Sequence, residues 1–299
     1  MNNVYIEITD ACNLHCSFCP SATIEDRSFM DSSLFQRCIE EAKRANAENV
    51  YFHVLGEPTL HPGFMHYVKK LATVGLKLTL TTNGTNIFRV GKGILQNDSI
   101  RQVNFSIHAY AELPKEKAEE HLQNVLDFCK MASVTRQDLY VNLRLWNIGD
   151  ESALPWNEYA LSQIGKCFDK KISIGNFSTR HKSFNVEGRI YIHEDTRFEW
   201  PKLQEPVHDP FNAESENAII ETMRGTCRAL DTHTAILHDG TVVACCLDYG
   251  GSLRLGNIKE NGLVEILNGK MALWVRDGFK NHELRHPLCR KCAYCKRFK

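Results

Sequence analysis

Six short runs rich in β-branched and aromatic residues, separated by amphipathic stretches, constrain this chain more than any other feature. The runs are Val4–Ile8, Asn49–Val54, Lys77–Thr81, Arg101–Ile107, Leu139–Leu145 and Lys171–Ile174. Between them, Ser32–Asn46 carries Leu34, Cys38, Ile39 and Ala42 at helical spacing, His61–Val74 follows, and Lys115–Met131 aligns Ala118, Leu122, Val125, Leu126 and Cys129 on one face. Strands alternating with helices in this way pair in parallel through right-handed crossovers. Five or six such units are too few for a closed eight-fold barrel. The expected class is therefore α/β, with a partial (βα)6 barrel of parallel strands over residues 1–176.

The rhythm breaks over 177–226, where Trp200-Pro201, Pro206 and Asp209-Pro210 punctuate a polar stretch. A linker or substrate-covering segment is expected there. Residues 227–299 predict an extension of hairpin and helix: Thr234–Leu237, the turn His238-Asp239-Gly240, Thr241–Cys246, a helix near Leu263–Trp274, and a cysteine-rich tail. The opening segment has no charged stretch followed by an apolar run, and no later stretch approaches the roughly 18 apolar residues that span a bilayer. The expected location is cytoplasmic, with no membrane partner. Lys and Arg balance Asp and Glu at 36 each, so global charge gives no argument for nucleic acid.

Twelve cysteines in a long chain without an export signal, clustered as C-x₃-C-x₂-C and C-x₂-C-x₂-C, point to metal ligation rather than disulfides. Cys12, Cys16 and Cys19 directly follow the first strand. Three thiolates on one loop can hold three irons of a four-iron cluster and leave the fourth open to an outside chelate. Further on, Gly56-Glu57-Pro58 and Thr81-Thr82-Asn83-Gly84 each end a strand, where folds of this type place their sites. Glycine permits close backbone approach, and Glu57 offers acceptors to a cation. Arg144 puts a charge inside the apolar strand Val141–Leu145, which is costly without a partner.

The cysteine spacing, with Phe18 just before the last thiol, resembles the signature of the radical S-adenosylmethionine superfamily. The resemblance implies that S-adenosylmethionine chelates the open iron through its amino and carboxylate groups. Phe18 would pack on adenine, and Gly56, Glu57 and Pro58 would receive the amino group. Thr82 and Asn83 would hold the ribose or methionyl group, and Ser106 and Arg144 the carboxylate. The C-terminal cysteines resemble the auxiliary-cluster extension called SPASM, and its shortened one-cluster version, Twitch. That implies a second 4Fe-4S cluster on Cys227, Cys245, Cys289 and Cys292. Cys246 is the alternate to Cys245, and Cys292 with Cys295 the alternate to Cys289 with Cys292. A tetrahedral zinc site would also use two separated cysteine pairs.

Cys38, Cys129 and Cys167 fall on expected helices and read as core residues, and the basic tail as a solvated one. His53, His61 and His66 read as packed histidines, and Arg180, His181, Asp231 and His233 as polar groups at the mouth of the site. The expected activity is reductive cleavage of S-adenosylmethionine to a 5′-deoxyadenosyl radical, hydrogen abstraction, and oxidation of a polar small molecule. The partner is a low-potential electron donor such as flavodoxin or ferredoxin. Modification of a ribosomally made peptide is the second reading, disfavoured because no peptide-binding domain precedes Val4. A non-catalytic iron–sulfur or zinc scaffold is the third.

Overall fold

The computed structural model describes residues 1–24, 27–173, 182–203 and 223–298. Arg180, His181, Ile174 and, within the 177–226 stretch, residues 177–181 and 204–222, including Pro206, Asp209 and Pro210, lie outside them. The chain forms two compact units, one made of Met1–Gly56, Thr73–Leu76 and Phe198–Lys299, the other of Glu57–Ala72 and Lys77–Arg197.

In the first unit β1 (Asn3–Ile6) pairs in parallel with β2 (Asn49–Tyr51), joined through α1 (Ser32–Arg44). The start of α1 is fixed by Asp31, whose carboxylate accepts from the amides of Ser33 and Leu34 at 2.8 and 2.9 Å. Leu34, Phe35, Cys38, Ile39 and Ala42 form its buried stripe. The C-terminal segment begins with β8 (Met223–Arg224) and adds the expected hairpin, β9 (His233–Ile236) and β10 (Thr241–Val243), turning at Gly240 with φ +93. Strand β9 lies parallel to β1, and β10 pairs with β11 (Arg254–Asn257). The single helix expected near Leu263–Trp274 is two helices, α6 (Leu263–Leu267) and α7 (Lys270–Lys280). Asn268-Gly269 separates them, since glycine is a poor helix former. Strand β12 (Glu283–Leu284) pairs with β8, and α8 (Pro287–Lys291) follows.

In the second unit the strand order is β3 (Lys77–Thr82), β4 (Ile100–Phe105), β5 (Tyr140–Leu145), β7 (Ile190–Glu194) and β6 (Ser183–Glu187). Its helices are α2 (Phe64–Val74), whose last residues belong to the first unit, α3 (Ile87–Leu95), α4 (Lys115–Thr135) and α5 (Leu154–Phe168). The class is α/β with mostly parallel strands, as expected. The sixth strand is not where the sequence suggested. Residues 171–173 are not in a strand, and the parallel partner of β5 is β7, Ile190–Glu194, inside the stretch read as a linker. Lys170 and Lys171 keep that earlier run exposed, whereas Ile190 and Ile192 alternate inward and bury against the core.

Arg136, just past the end of α4, anchors the entry to β4. It is 7% exposed and donates to the carbonyls of Leu95, Asn97 and Ile100 while pairing with Asp138. Arg136→Met would strand those acceptors, at a cost of about 2–4 kcal/mol. We expect a melting temperature lower by roughly 5–10 °C; an unchanged melting curve would mean the network carries no stability.

Candidate active site

The cysteine loop of the first unit is fixed at its base. Thr9 donates its hydroxyl to the Ser28 carbonyl at 2.6 Å and accepts from the Ala11 amide at 3.0 Å. Asp10 accepts from the Ser28 amide at 2.6 Å, and the Met30 amide donates to Ile8. Cys12, Cys16 and Cys19 therefore sit on a loop whose two ends are sewn together, each thiol half-buried. The Cys19 amide donates to the Cys16 carbonyl, and the Leu14 amide approaches the Cys12 sulfur at 3.5 Å. Phe18 lies on the same loop, half-buried.

Gly56 approaches this base without a side chain. Its φ is +73, and a Cβ there would stand 2.2 Å from the Thr9 carbonyl oxygen. Beside it, Glu7 is 2% exposed and accepts from the Leu55 amide and from His238 Nδ1, both at 2.9 Å. The hydrogen bond to Glu7, helped by the charges of Glu7, Asp10 and Asp239, raises His238 above its ordinary value against the pull of burial. The sequence marked His238 only as part of a turn and Glu7 only as part of a strand, and the pairing itself was hidden because 231 positions separate them.

The C-terminal cysteines converge in the same unit. Cys245 feels the charges of Cys246, Cys289 and Cys227, and Cys227 that of Cys292; burial pushes Cys245 and Cys289 well up. Cys289 lies in α8 and Cys292 ends it, with the Cys292 amide donating to the Cys289 carbonyl. Cys246 takes a hydrogen bond from Tyr5 and packs against Val54, Ala235, Leu237 and Val243. The Cys295 thiol is buried and donates to the Cys292 carbonyl at 2.9 Å. Asp248, 1% exposed, accepts from the amides of Ser252 and Leu253 and shapes the loop after Cys245.

This all-sulfur donor set suits iron–sulfur chemistry. Among the described residues, no three His, Cys, Asp or Glu side chains gather as a single ion would require. A sulfur-only donor set can serve an iron–sulfur cluster or a tetrahedral zinc ion. The residues present thus fit a cluster at each end of the chain.

In the second unit the Glu57 carboxylate is buried and accepts four hydrogen bonds: from Thr59 N and Oγ1, Thr82 Oγ1, and Asn83 N at 2.6–3.0 Å. Burial raises its pKa above the ordinary carboxyl value, against the opposing pull of these bonds. Pro58 begins the short 3-10 turn that Glu57 caps. The Thr82–Gly84 turn is held further by Tyr110, whose hydroxyl donates to the Asn83 carbonyl. Gly84 has φ +78, and a Cβ there would lie 2.7 Å from that hydroxyl. Ser106 follows β4, its amide donating to Thr82 O. Arg144, half-buried on β5, stacks over the Trp146 ring at 4.4 Å, and its carbonyl accepts from His108. Burial, with the charges of Arg144 and Arg197, lowers His108 to about 4.

Of the residues set aside, Cys38 and Cys129 are core and Cys167 is half-buried. His61 accepts from the Gly63 amide just before α2, and His233 packs edge-on against Tyr5.

The radical SAM superfamily model matches residues 6–145, and an iron–sulfur cluster-binding domain model, SPASM, matches 227–296. The chain carries a radical SAM domain followed by a SPASM iron–sulfur cluster-binding domain. Its cofactors are S-adenosylmethionine and 4Fe-4S clusters. It is 39% identical over 87 residues to a tungsten-containing aldehyde ferredoxin oxidoreductase cofactor-modifying protein of Pyrococcus furiosus, which covers 28% of this chain and 24% of that protein. The chain thus spans about a quarter of that relative. Among solved structures, Streptococcus suis SuiB bound to S-adenosylmethionine matches with a TM-score of 0.60 at 16% identity, over 98% of this chain and 71% of SuiB. BtrN in complex with AdoMet and 2-DOIA matches at 0.50 and 14%, over 94% of this chain and 88% of BtrN. These likenesses show the fold, the partial barrel of the superfamily. No helix among the described residues is long and apolar enough to cross a membrane.

Because His238 is raised by Glu7, its contribution to stability is complete below pH 6.5 and is lost as pH climbs through the folded-state value. The melting-temperature gap between wild type and His238→Gln should be widest near about pH 6 and shrink toward about pH 8.5. A gap that widened with pH would reverse the assignment.

Proposed function

We propose that this enzyme oxidises a polar small molecule, with Cys12, Cys16 and Cys19 holding the cluster that binds S-adenosylmethionine and Cys227, Cys245, Cys289 and Cys292 holding the auxiliary one. The observation that carries the substrate class is a row of polar side chains across one face of the second unit's sheet. Asn104 accepts from Gln102 and Asn142 at 2.8 and 2.9 Å and donates to Thr81 at 3.2 Å. Thr81, Asn104 and Asn142 are register partners on β3, β4 and β5, and Arg144 and His193 continue the face one step on. The opposite face is apolar and buried: Leu80, Val103, Phe105, Val141, Leu143, Ile190 and Ile192. A strand face of amides and hydroxyls, held rigid by its own hydrogen bonds, is suited to orient hydroxyl or amino groups and offers little to an apolar chain.

When bound, the cofactors supply a 5′-deoxyadenosyl radical that takes a hydrogen atom from carbon and an acceptor for the second electron, so that loss of one proton completes a two-electron oxidation. The chain's own residues orient and shield. Glu57 locks the Thr82–Gly84 turn through the bonds described above, and Gly56 admits the close approach to the cysteine loop. Arg144 holds a positive charge at a strand end, buttressed by Trp146. These features favour an enzyme over a scaffold, which has no use for a cofactor cradle. Turnover needs an external low-potential reductant.

Reconstituted anaerobically, wild type should carry about eight irons per chain and release 5′-deoxyadenosine on reduction with S-adenosylmethionine, and Cys16→Ala should abolish that release. With a polyol or amino alcohol deuterated at the reacting carbon, deuterium should appear in 5′-deoxyadenosine. Deuterium from a peptide Cα or Cβ position instead would replace the small-molecule reading with peptide modification.

A further inference from the structure

We propose that Asn147, Asn157 and Glu194 form a site for a monovalent cation of the sodium or potassium class, where the ends of β5 and β7 meet the first turn of α5. The buried face of this part of the sheet is apolar until its last layer. On β7, Ile190 and Ile192 are followed on that face by Glu194. On β5, Leu143 and Leu145 are followed by Asn147, since the alternation of buried and half-buried residues continues past the strand end. The two ends run side by side. Glu194 is the register partner of Leu145, the Asp195 amide donates to the Leu145 carbonyl at 3.0 Å, and the Ile148 amide donates to the Asp195 carbonyl at 3.1 Å. Helix α5 follows β5, and Asn157 is the first member of the buried stripe it continues with Ala160, Leu161 and Ile164. Its neighbour Trp156 donates to the Ile107 carbonyl at 2.9 Å, which holds this first turn beside the strand ends.

Three polar side chains therefore gather at one end of an apolar interface. Asn147 is 1%, Asn157 2% and Glu194 9% exposed. Asn147 Oδ1 and Nδ2, Asn157 Oδ1 and Glu194 Oε1 have no hydrogen-bond partner among the described residues. Both amide atoms of Asn147 are open, so it offers an oxygen whichever way the amide is turned. No cation of the chain neutralises Glu194. Lys182 is engaged by Asp195 at 2.6 Å, and Arg197 by Glu112 and Asp150 at 3.3 and 3.0 Å. Arg144 and His193 lie on the other face of the sheet, and Glu151, Glu158 and Lys166 are exposed. Burial alone raises the Glu194 carboxyl to about 7. A buried carboxylate without a countercharge takes up a proton or a cation. Oxygens from three separate elements suit a hard cation, and one anionic oxygen among neutral amides balances a single positive charge, whereas calcium sites gather several carboxylates. An ion held there ties the loop after β5, the end of β7 and α5 to one centre.

Thermal unfolding of the reconstituted holoprotein at about pH 8, where Glu194 is ionised, in sodium, potassium or choline chloride of equal ionic strength, tests the site. At a roughly tenfold excess over its dissociation constant, the bound ion should raise the wild-type midpoint by about 3–6 °C over choline. Equilibrium dialysis with radioactive sodium and rubidium should find a single ion per chain. Glu194→Gln, which keeps the shape and removes the charge, should lose both responses and melt in choline no lower than wild type, which separates loss of the ion from a folding defect. No bound ion in wild type, equal midpoints in all three salts, or a rise that Glu194→Gln retains overturns the site and leaves a trapped water beside a protonated Glu194. Calcium acting through Glu194 where sodium and potassium do not would overturn the monovalent assignment.

Discussion

The close contact at Gly56 is the constraint on which the first unit's site depends. A backbone that comes within 2.2 Å of where a Cβ would stand leaves no side chain but hydrogen at that position. The carbonyl it meets belongs to Thr9, the same residue that ties the cysteine loop to Ser28 through its hydroxyl. Glu7, two residues earlier, holds the Leu55 amide just before Gly56. One short stretch, residues 7–10, therefore fixes the loop at one end and the strand-end turn at the other. The three thiols thus stand on a loop that its own peptide contacts already order.

Glu57 plays the corresponding part in the second unit. Burying a carboxylate is expensive, and the cost is offset only when its oxygens are satisfied. Here four donors from Thr59, Thr82 and Asn83 meet them, so the carboxyl group acts as an internal staple for the Thr82–Gly84 turn. The neighbouring polar face of β3, β4 and β5 is satisfied in the same fashion, by Asn104 bridging Thr81 and Asn142. Both arrangements are stiff before any ligand arrives, which lowers the ordering cost of binding.

Much of this was legible in the sequence wherever the signal was local. The cysteine spacings, the strand-end Gly-Glu-Pro and Thr-Thr-Asn-Gly motifs, the first five strands and the Asp-Gly hairpin all depend on residues close in the chain. The sixth strand was misplaced because an apolar run after two lysines looked like one, while Ile190–Glu194 hid in a stretch set apart by its prolines and histidines. His193 was lost with it, although the alternation Ile-Tyr-Ile-His-Glu was a usable strand signal. Glu7 with His238, Tyr5 with Cys246, and Trp146 with His193 pair across 231, 241 and 47 residues, and no periodicity in one sequence announces such partners.

The central claim is that two separate cysteine sets hold two different clusters, only one of which meets S-adenosylmethionine. Electron paramagnetic resonance of the reduced protein tests it directly, with Cys12, Cys16 and Cys19 replaced by Ala in one variant and Cys289 and Cys292 in another. The account predicts one 4Fe-4S signal in each, shifted by S-adenosylmethionine in the second variant and indifferent to it in the first. A signal absent from the first variant, or one that responds to S-adenosylmethionine there, would contradict it.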